Sequence, residues 1–376
     1  MTSAPDGSGY FLYHSIGQYP GKAEAMSAGL AGFARVWSAP DDAQWGYALG
    51  IRQRFIELWR GMLRAPEGTV TTCESVTAGL YSLIGALPPE VLRGRRLLVA
   101  GDCFPSLHFL LAGLQDRLGF TLETVPLRPG AFWVEDEDVM ARWGEDVGLA
   151  LLTWVSSTSS HRCDLAVLVA HGRRMGSLVG VDITQGAGLL AYDVGNPAVD
   201  FTLSTSLKWM CGTPGAGMLH VSGPLIAVCQ PELRGWFSQP NPFSWDLDAF
   251  DYAPDIRRFD NGTPSIMACA GSVPALEWHA AQNAAAVLAH NRALSAGLIE
   301  AFDAAGLPLA GPRAPDRRGG SVMAQMPDPG AARAMVDHLR GAGVSADARG
   351  RILRLSPGSL TTAEGVARVA VALRQG

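Results

Sequence analysis

Between residues 70 and 222 short apolar runs alternate with amphipathic stretches, the rhythm of parallel βαβ units. Runs at 96–101, 121–125, 149–155, 177–182, 200–204 and 217–221 predict strands, and their near-continuous hydrophobicity predicts burial on both faces. The stretches 106–118 and 164–175 carry helical spacing. Together they predict an open α/β sheet. Residues 231–264 break the rhythm with five prolines and a dense aromatic set that includes Trp236, Phe237, Phe243 and Trp245, and predict a long ordered excursion. From Ser272 onward the pattern predicts a long Ala-rich helix, a strand at 320–325, a helix at 331–341, a strand at 351–355 and a last helix from 361. That succession suits a small α+β domain.

Composition narrows the function classes. A chain of 376 residues, 48% of them hydrophobic, can bury a large core and predicts one big domain plus a smaller one. The formal net charge is -5 and the arginines are scattered in ones and pairs, so no basic stripe is available for nucleic acid. The six cysteines, at 73, 103, 163, 211, 229 and 269, form no CxxC pair and read as buried small hydrophobes. The histidines lack HxxxH spacing, and no metal site is expected. The N-terminus lacks a basic n-region and an apolar h-region, and no run is long enough to cross a bilayer, so the expectation is a cytoplasmic protein without a membrane partner.

Against a background so rich in arginine, the chain holds only two lysines, Lys22 and Lys208. A guanidinium stays protonated, whereas a desolvated ammonium can lose its proton and attack a carbonyl. Lys208 follows a buried-looking strand and precedes a Gly-rich turn, a place where a scaffold aims a side chain at a ligand. Lys22 reads as a surface residue. Asp182 and Gln185 end another strand of the expected sheet, at the edge where α/β proteins bind ligands. A buried carboxylate there needs a cationic partner, although aspartate after a strand is also an ordinary helix N-cap. The segment 71–80 reads as a strand turning into a helix whose N-terminal amides and hydroxyls could cradle a phosphate.

Asp182-x-x-Gln185, Ser206-x-Lys208 and Asn261-Gly-Thr263-Pro264, in that order, resemble the fold-type I, class V aminotransferase family of pyridoxal-phosphate (PLP) enzymes, with kynureninase the nearest likeness. Tyr13-His14-Ser15-Ile16-Gly17, Cys103-Phe104-Pro105-Ser106, Gly235-Trp236-Phe237 and Arg354-Leu355-Ser356-Pro357 extend the resemblance over nearly the whole chain. It implies a large PLP-binding domain at 21–271, with a mainly parallel sheet flanked by helices, and a small α+β domain from 1–20 and 272–376. It also implies that Lys208 bonds the cofactor and that Asp182 pairs with the pyridine nitrogen. Phe104 would stack on the ring, which could otherwise be core. Glu74, Ser75 and Ser206 would hold the phosphate, with Thr153 and Gln185 beside the ring. Trp236 and Thr263 would approach from the partner subunit of a homodimer. Arg354 would grip the substrate carboxylate near His14 and Ser15; by its own pattern it reads as a strand arginine in a surface ion pair. The implied reaction is hydrolytic Cβ–Cγ cleavage of an amino acid. Transamination, epimerisation and other lyase chemistry share the same lysine and aspartate. Two departures concern proton handling: Leu207 stands where kynureninases carry tyrosine, and Leu107 where many carry aspartate. A cysteine desulfurase needs a nucleophilic cysteine on a C-terminal loop, and the last cysteine here is Cys269.

Overall fold

The computed structural model describes residues 7–375. Seven strands form one sheet: β1 Val70–Cys73, β2 Arg96–Ala100, β3 Thr121–Val125, β4 Val147–Thr153, β5 Leu178–Asp182, β6 Phe201–Thr205 and β7 Gly217–Val221, in the order β1-β7-β6-β5-β4-β2-β3. The six strands expected from the hydrophobic runs appear within two residues of their predicted ends. β3, β2, β4, β5 and β6 pair in parallel, whereas β7 runs antiparallel to both β6 and β1. The parallel rhythm fails at β7 because residues 206–216 form a loop with no crossover helix, and a chain that turns back without a crossover pairs antiparallel.

Apolar layers cover both faces of this sheet, as its continuous hydrophobicity requires. One contains Trp59, Trp143, Val181 and Met210, and the other Leu80, Leu111, Phe201 and Leu219. Helices Lys22–Trp37 and Gln44–Leu63 pack against helix Ile266–Ala280. The single Ala-rich helix expected from Ser272 is two helices, Ile266–Ala280 and Ala284–Ala304. The break follows from local capping: the Asn283 side chain accepts the Ala286 N–H at 3.1 Å and starts a new helix.

The C-terminal part forms a second sheet of β8 Val322–Gln325, β9 Asp347–Arg349 and β10 Ile352–Leu355, ordered β8-β10-β9 and antiparallel. β9, only three residues long, has no readable periodicity and escapes the sequence pattern. The N-terminal segment joins this part: Tyr10 bridges to Ser345, Leu12 bridges to Ser356, and Phe11 lies in the same apolar core as Leu298, Phe302 and Leu353. Residues 1–6, which the sequence reading assigns to the small domain, lie outside the described residues. The proline-rich excursion contains only two short 3-10 turns, Trp236–Ser238 and Ile256–Phe259. Among the described residues no helix is long and apolar enough to cross a membrane, and no group of three His, Cys, Asp or Glu side chains could hold a metal ion.

Candidate active site

The C-terminal ends of β1, β2, β4, β5 and β6 converge on one cavity of ≈ 360 Å³. Parallel strands deliver their following loops to the same sheet edge, and this edge is where α/β folds bind ligands. β1 supplies Glu74 and Ser75, the loop after β2 supplies Phe104, β4 ends in Thr153, β5 in Asp182, and β6 leads through Thr205 to Lys208. Gln185 lines the same cavity. Six residues singled out from the sequence therefore meet Lys208 in one place.

Lys208 sits in a tight loop. The Cys211 N–H donates to the Lys208 carbonyl (2.8 Å), and the N-terminal segment lies against the same backbone through the Gly17 N–H to Leu207 carbonyl bond of 2.9 Å. A Cβ at position 17 would stand 1.9 Å from the Lys208 carbonyl oxygen, so only glycine permits this approach. The Lys208 ammonium lies 5.1 Å from the centroid of the Phe104 ring and makes no hydrogen bond among the described residues. Burial pushes its pKa down from 10.5 to about 8, with Asp182 opposing the shift and Arg354 adding to it. Phe104 is 42% exposed, too open for a core residue and suitably placed for a ring laid on its face. Lys22, by contrast, is not a free surface lysine. Its Nζ donates to the Gly17 carbonyl (2.7 Å), and burial lowers its pKa.

Asp182 is buried, and its Oδ1 accepts the Thr184 N–H at 2.9 Å. Burial raises its pKa, and among the described residues no cation stands within ion-pair distance of it. No helix follows β5, so the N-cap alternative falls. A buried carboxylate in a cavity wall, with a lysine amine in the same space, fits a ligand that brings its own protonated ring nitrogen. Opposite, Ser75 caps helix Val76–Ile84 by accepting the Ala78 N–H at 3.1 Å, and Thr77 and Thr205 line the wall nearby. Hydroxyls grouped at a helix N-terminus form an anion cradle. These residues fit PLP, which has a pyridine nitrogen, an aldehyde and a phosphate.

Ser206 does not join that cradle. It is fully buried, and its Oγ accepts the Trp59 Nε1–H at 3.2 Å. Successive residues leaving a strand face opposite sides, so Thr205 takes the cavity side and Ser206 the core. The expectation from sequence takes the wrong phase of the Ser204-Thr205-Ser206 run.

The residues expected around the substrate carboxylate form a buried network beside the cavity. Arg354 donates to Asp347 through Nε (2.9 Å) and Nη2 (2.5 Å), and through Nη1 to the carbonyl of Ser157, which lines the cavity. His14 Nε2 lies 2.9 Å from the same carboxylate, and its Nδ1 lies 2.6 Å from Ser356 Oγ. Although burial alone raises the Asp347 pKa, the bonds from His14 and Arg354 win and hold it well below the usual carboxylate range. The ion pair read from the strand pattern exists, but it is buried rather than superficial. The three bonds leave Arg354 two of its five N–H donors. His14 also accepts, through its carbonyl, from Gln185 Nε2 (3.0 Å), while Trp209 Nε1 donates to Gln185 Oε1 (3.2 Å). Ser15 is half-buried, with its N–H bonded to the Leu12 carbonyl.

Trp236 and Thr263 lie outside the Lys208 cavity of their own chain. Trp236 packs among Trp45, Phe237, Phe243 and Trp245. Thr263 lines a neighbouring cavity of ≈ 240 Å³ that shares Glu74 and Gly215 with the Lys208 cavity. Among residues the sequence reading did not name, Thr205 needed the strand phase to be known, Ser157 sits in a turn after β4, and Asp347 needed a contact seven residues away. Asp102, after β2, lines a separate small cavity with Ser156 and His161, and burial raises its pKa to about 6.

The sequence pattern of the class V aminotransferases matches residues 57–372. A kynureninase of Deinococcus radiodurans is 28% identical over 255 residues, an alignment covering 62% of this chain and 58% of that enzyme's length. A kynureninase of Pseudomonas fluorescens is 25% identical over 364 residues, covering 93% of this chain and 84% of the relative. Among solved structures, the apo cysteine desulfurase of Thermococcus onnurineus NA1 has a TM-score of 0.84 at 17% identity, covering 97% of this chain and 94% of that one. A C-DES mutant with glycine covalently linked to its PLP cofactor has a TM-score of 0.86 at 20% identity, covering 98% of this chain and 96% of that one. At such identities these structures establish the shared fold-type I architecture. With its pattern matched over most of its length and a lysine, a buried aspartate and an anion cradle at one sheet edge, the chain belongs to the class V aminotransferase family of PLP-dependent enzymes.

Proposed function

We propose that this enzyme cleaves the Cβ–Cγ bond of a 2-amino-4-oxo acid hydrolytically, in the manner of a kynureninase, with Lys208 as the cofactor-bonding and proton-moving group. The observation that carries the reading is the buried Lys208 amine, 5.1 Å from the Phe104 ring centroid in the cavity that Asp182 also lines, with its pKa pushed down to about 8. An amine near neutrality both adds to a carbonyl and returns a proton at working pH. PLP, when bound, supplies an electron sink for the charge left on the substrate's α-carbon. Asp182 would keep the ring nitrogen protonated, Ser75, Thr77 and Thr205 would hold the phosphate, and Phe104 would cover one ring face. The two free N–H donors of Arg354 would orient the substrate carboxylate. Lys208 Nζ would be the base that takes the α-proton of a bound substrate.

The choice among reactions draws on the kynureninase relatives and on the thiols. Burial pushes Cys73, Cys103, Cys211 and Cys229 up to about 12, Cys269 up to about 11, and Cys163 well above its ordinary value. A persulfide-forming nucleophile requires the opposite, a lowered pKa. Leu207 lines the cavity where kynureninases have tyrosine, and it favours transamination as a second reading, because that reaction asks only Lys208 to move protons. In both readings the protein acts as a homodimer. Phe243 (63% exposed), Trp245 (76%) and Leu247 (96%) form the apolar face that a second copy would cover, bringing Trp236 and Thr263 toward the partner's cavity.

The test is to incubate the PLP-loaded enzyme with kynurenine, 3-hydroxykynurenine and a panel of amino acids and to follow products by mass. Water plus kynurenine should give alanine and anthranilate. Amino-group exchange with a keto acid, and no alanine from kynurenine, would replace the hydrolase reading with transamination.

A further inference from the structure

The buried network beside the Lys208 cavity contains the three residue types of a hydrolytic triad. His14 Nδ1 lies 2.6 Å from Ser356 Oγ, and His14 Nε2 lies 2.9 Å from Asp347 Oδ1. A serine used as a nucleophile has to meet its substrate, and Ser356 is 0% exposed. The Ser-His-Asp arrangement therefore serves something other than attack by the serine, and what stands at its far end is Arg354.

Backbone register builds this chain of contacts. Asp347 in β9 is the cross-strand partner of Arg354 in β10, so carboxylate and guanidinium meet at a fixed position. Leu12 bridges to Ser356 just beyond β10, which brings His14 to the same hairpin. Charge then decides where the protons sit. Asp347 accepts from Arg354 Nε and Nη2 and its pKa is held low, so it is ionised and can only accept. The proton of that contact is therefore on His14 Nε2. Burial, the largest influence on the His14 ring, lowers its pKa; Asp347 opposes the shift, and Arg354 and Lys208 add to it. The ring is neutral and Nδ1 accepts, with the Ser356 hydroxyl as its donor. Ser321 Oγ, 2.6 Å from Ser356 Oγ, must then donate in its turn, and the chain runs one way from Ser321 through Ser356 and His14 to Asp347. Both ring nitrogens of His14 are occupied, which leaves neither for the substrate contact expected of it from sequence.

We propose that His14 is a positioning residue: its Nε2–H fixes the Asp347 carboxylate, which fixes the Arg354 guanidinium for a substrate's α-carboxylate. The inference rests on Arg354 as the carboxylate-binding residue and adds that its grip is set by side chains that never touch the substrate.

The probes are L-alanine, a product in the hydrolase reading and an amino donor in the transamination reading, and ethylamine, the same molecule without its carboxylate. Each is titrated into the PLP-loaded enzyme and followed by the change in visible absorbance. Hydrogen bonds to a charged group should give alanine a preference of about tenfold to hundredfold over ethylamine, and Arg354→Met should erase it. His14→Leu should weaken alanine about tenfold and leave ethylamine within about twofold, because the His14 carbonyl that accepts from Gln185 belongs to the backbone and stays. His14→Gln, whose amide N–H can still donate to Asp347, should recover most of the loss. Should His14→Leu unfold, Ser356→Ala removes only the hydroxyl behind Nδ1 and should weaken alanine in the same selective way, by about threefold. Alanine binding unchanged in these variants but lost in Arg354→Met, or alanine and ethylamine weakened in step, would overturn the positioning role. A native enzyme that does not prefer alanine would instead remove the Arg354 reading, and this inference with it.

Discussion

Lys208 should ionise far below an ordinary lysine, and because the chain has only two lysines this can be measured without touching the cofactor. Burial lowers its pKa from 10.5 to about 8, against the pull of Asp182. At pH 7 the neutral fraction is then about 9%, compared with about 0.03% for an unperturbed side chain, a gain of about 300-fold in reactive amine. Competitive acetylation of the cofactor-free protein with trace acetic anhydride from about pH 6 to about pH 11, read by mass on the peptides holding Lys22 and Lys208, gives each midpoint. Lys208 should be half-reactive near pH 8. Asp182→Asn removes a neighbour that favours the ammonium and should move the midpoint lower still. The same shift has a stability consequence. The folded pKa lies below the unfolded one, so the unfolded chain binds more protons and stability rises with pH between about 8 and 10.5. Below that window the buried ammonium costs about 3 kcal/mol. Lys208→Met should therefore stabilise the cofactor-free protein by about that amount at pH 7, with the gain fading as pH climbs through the window. A Lys208 midpoint near 10.5, or a destabilised Lys208→Met at pH 7, would refute the claim that burial tunes this amine.

Asp347→Ala leaves the Arg354 guanidinium buried without its carboxylate and should cost about 3–5 kcal/mol in urea unfolding at pH 7. Because the folded pKa of Asp347 is depressed, its contribution is present above the unfolded carboxylate value near 4 and is lost as pH falls toward the folded value. The unfolding free energies of the native protein and the Asp347→Ala variant should therefore converge in acid. Trp245→Glu places a charge on the exposed aromatic face and should raise the dimer dissociation constant by about 30-fold, the effect of losing an anchor of about 2 kcal/mol, measured by sedimentation velocity. A chain that sediments as a dimer equally well with glutamate there would place the subunit interface elsewhere.

What the sequence made legible divides along a physical line. The central sheet could be read because each strand's burial on both faces writes itself into a local apolar run, as in Leu149 to Thr153 and Leu178 to Asp182. Lys208, Asp182 and Phe104 could be placed at one edge because a parallel sheet sends every strand's following loop to the same side. The direction of β7 could not, since it depends on the absence of a helix in residues 206–216 rather than on the strand itself. Ser206 lies one residue past the end of β6, so the alternation Phe201-Thr202-Leu203-Ser204-Thr205 has to be carried across the strand boundary to tell which of Thr205 and Ser206 faces the cavity.

The substrate side of the site was the least legible, and the reason lies in how it is held. Arg354 is oriented by Asp347 and by the Ser157 carbonyl, which is 197 positions away in sequence. His14 reaches Asp347 across 333 positions and Ser356 across 342, and Gln185 reaches back to the His14 carbonyl across 171. Ser356 Oγ in turn meets Ser321 Oγ at 2.6 Å. Most of these links join the N-terminal segment, the large sheet or the small sheet to another of the three, so they leave no periodic trace in any one of them. Such a network also explains why a family's shared lysine and aspartate do not decide the reaction. Those two sit on a single sheet edge, whereas the Arg354 network depends on how three chain segments meet. Leu207 belongs to the first group by position and to the second by effect: it lies beside Lys208, yet what it withholds, a proton donor over the cavity, only another segment could restore.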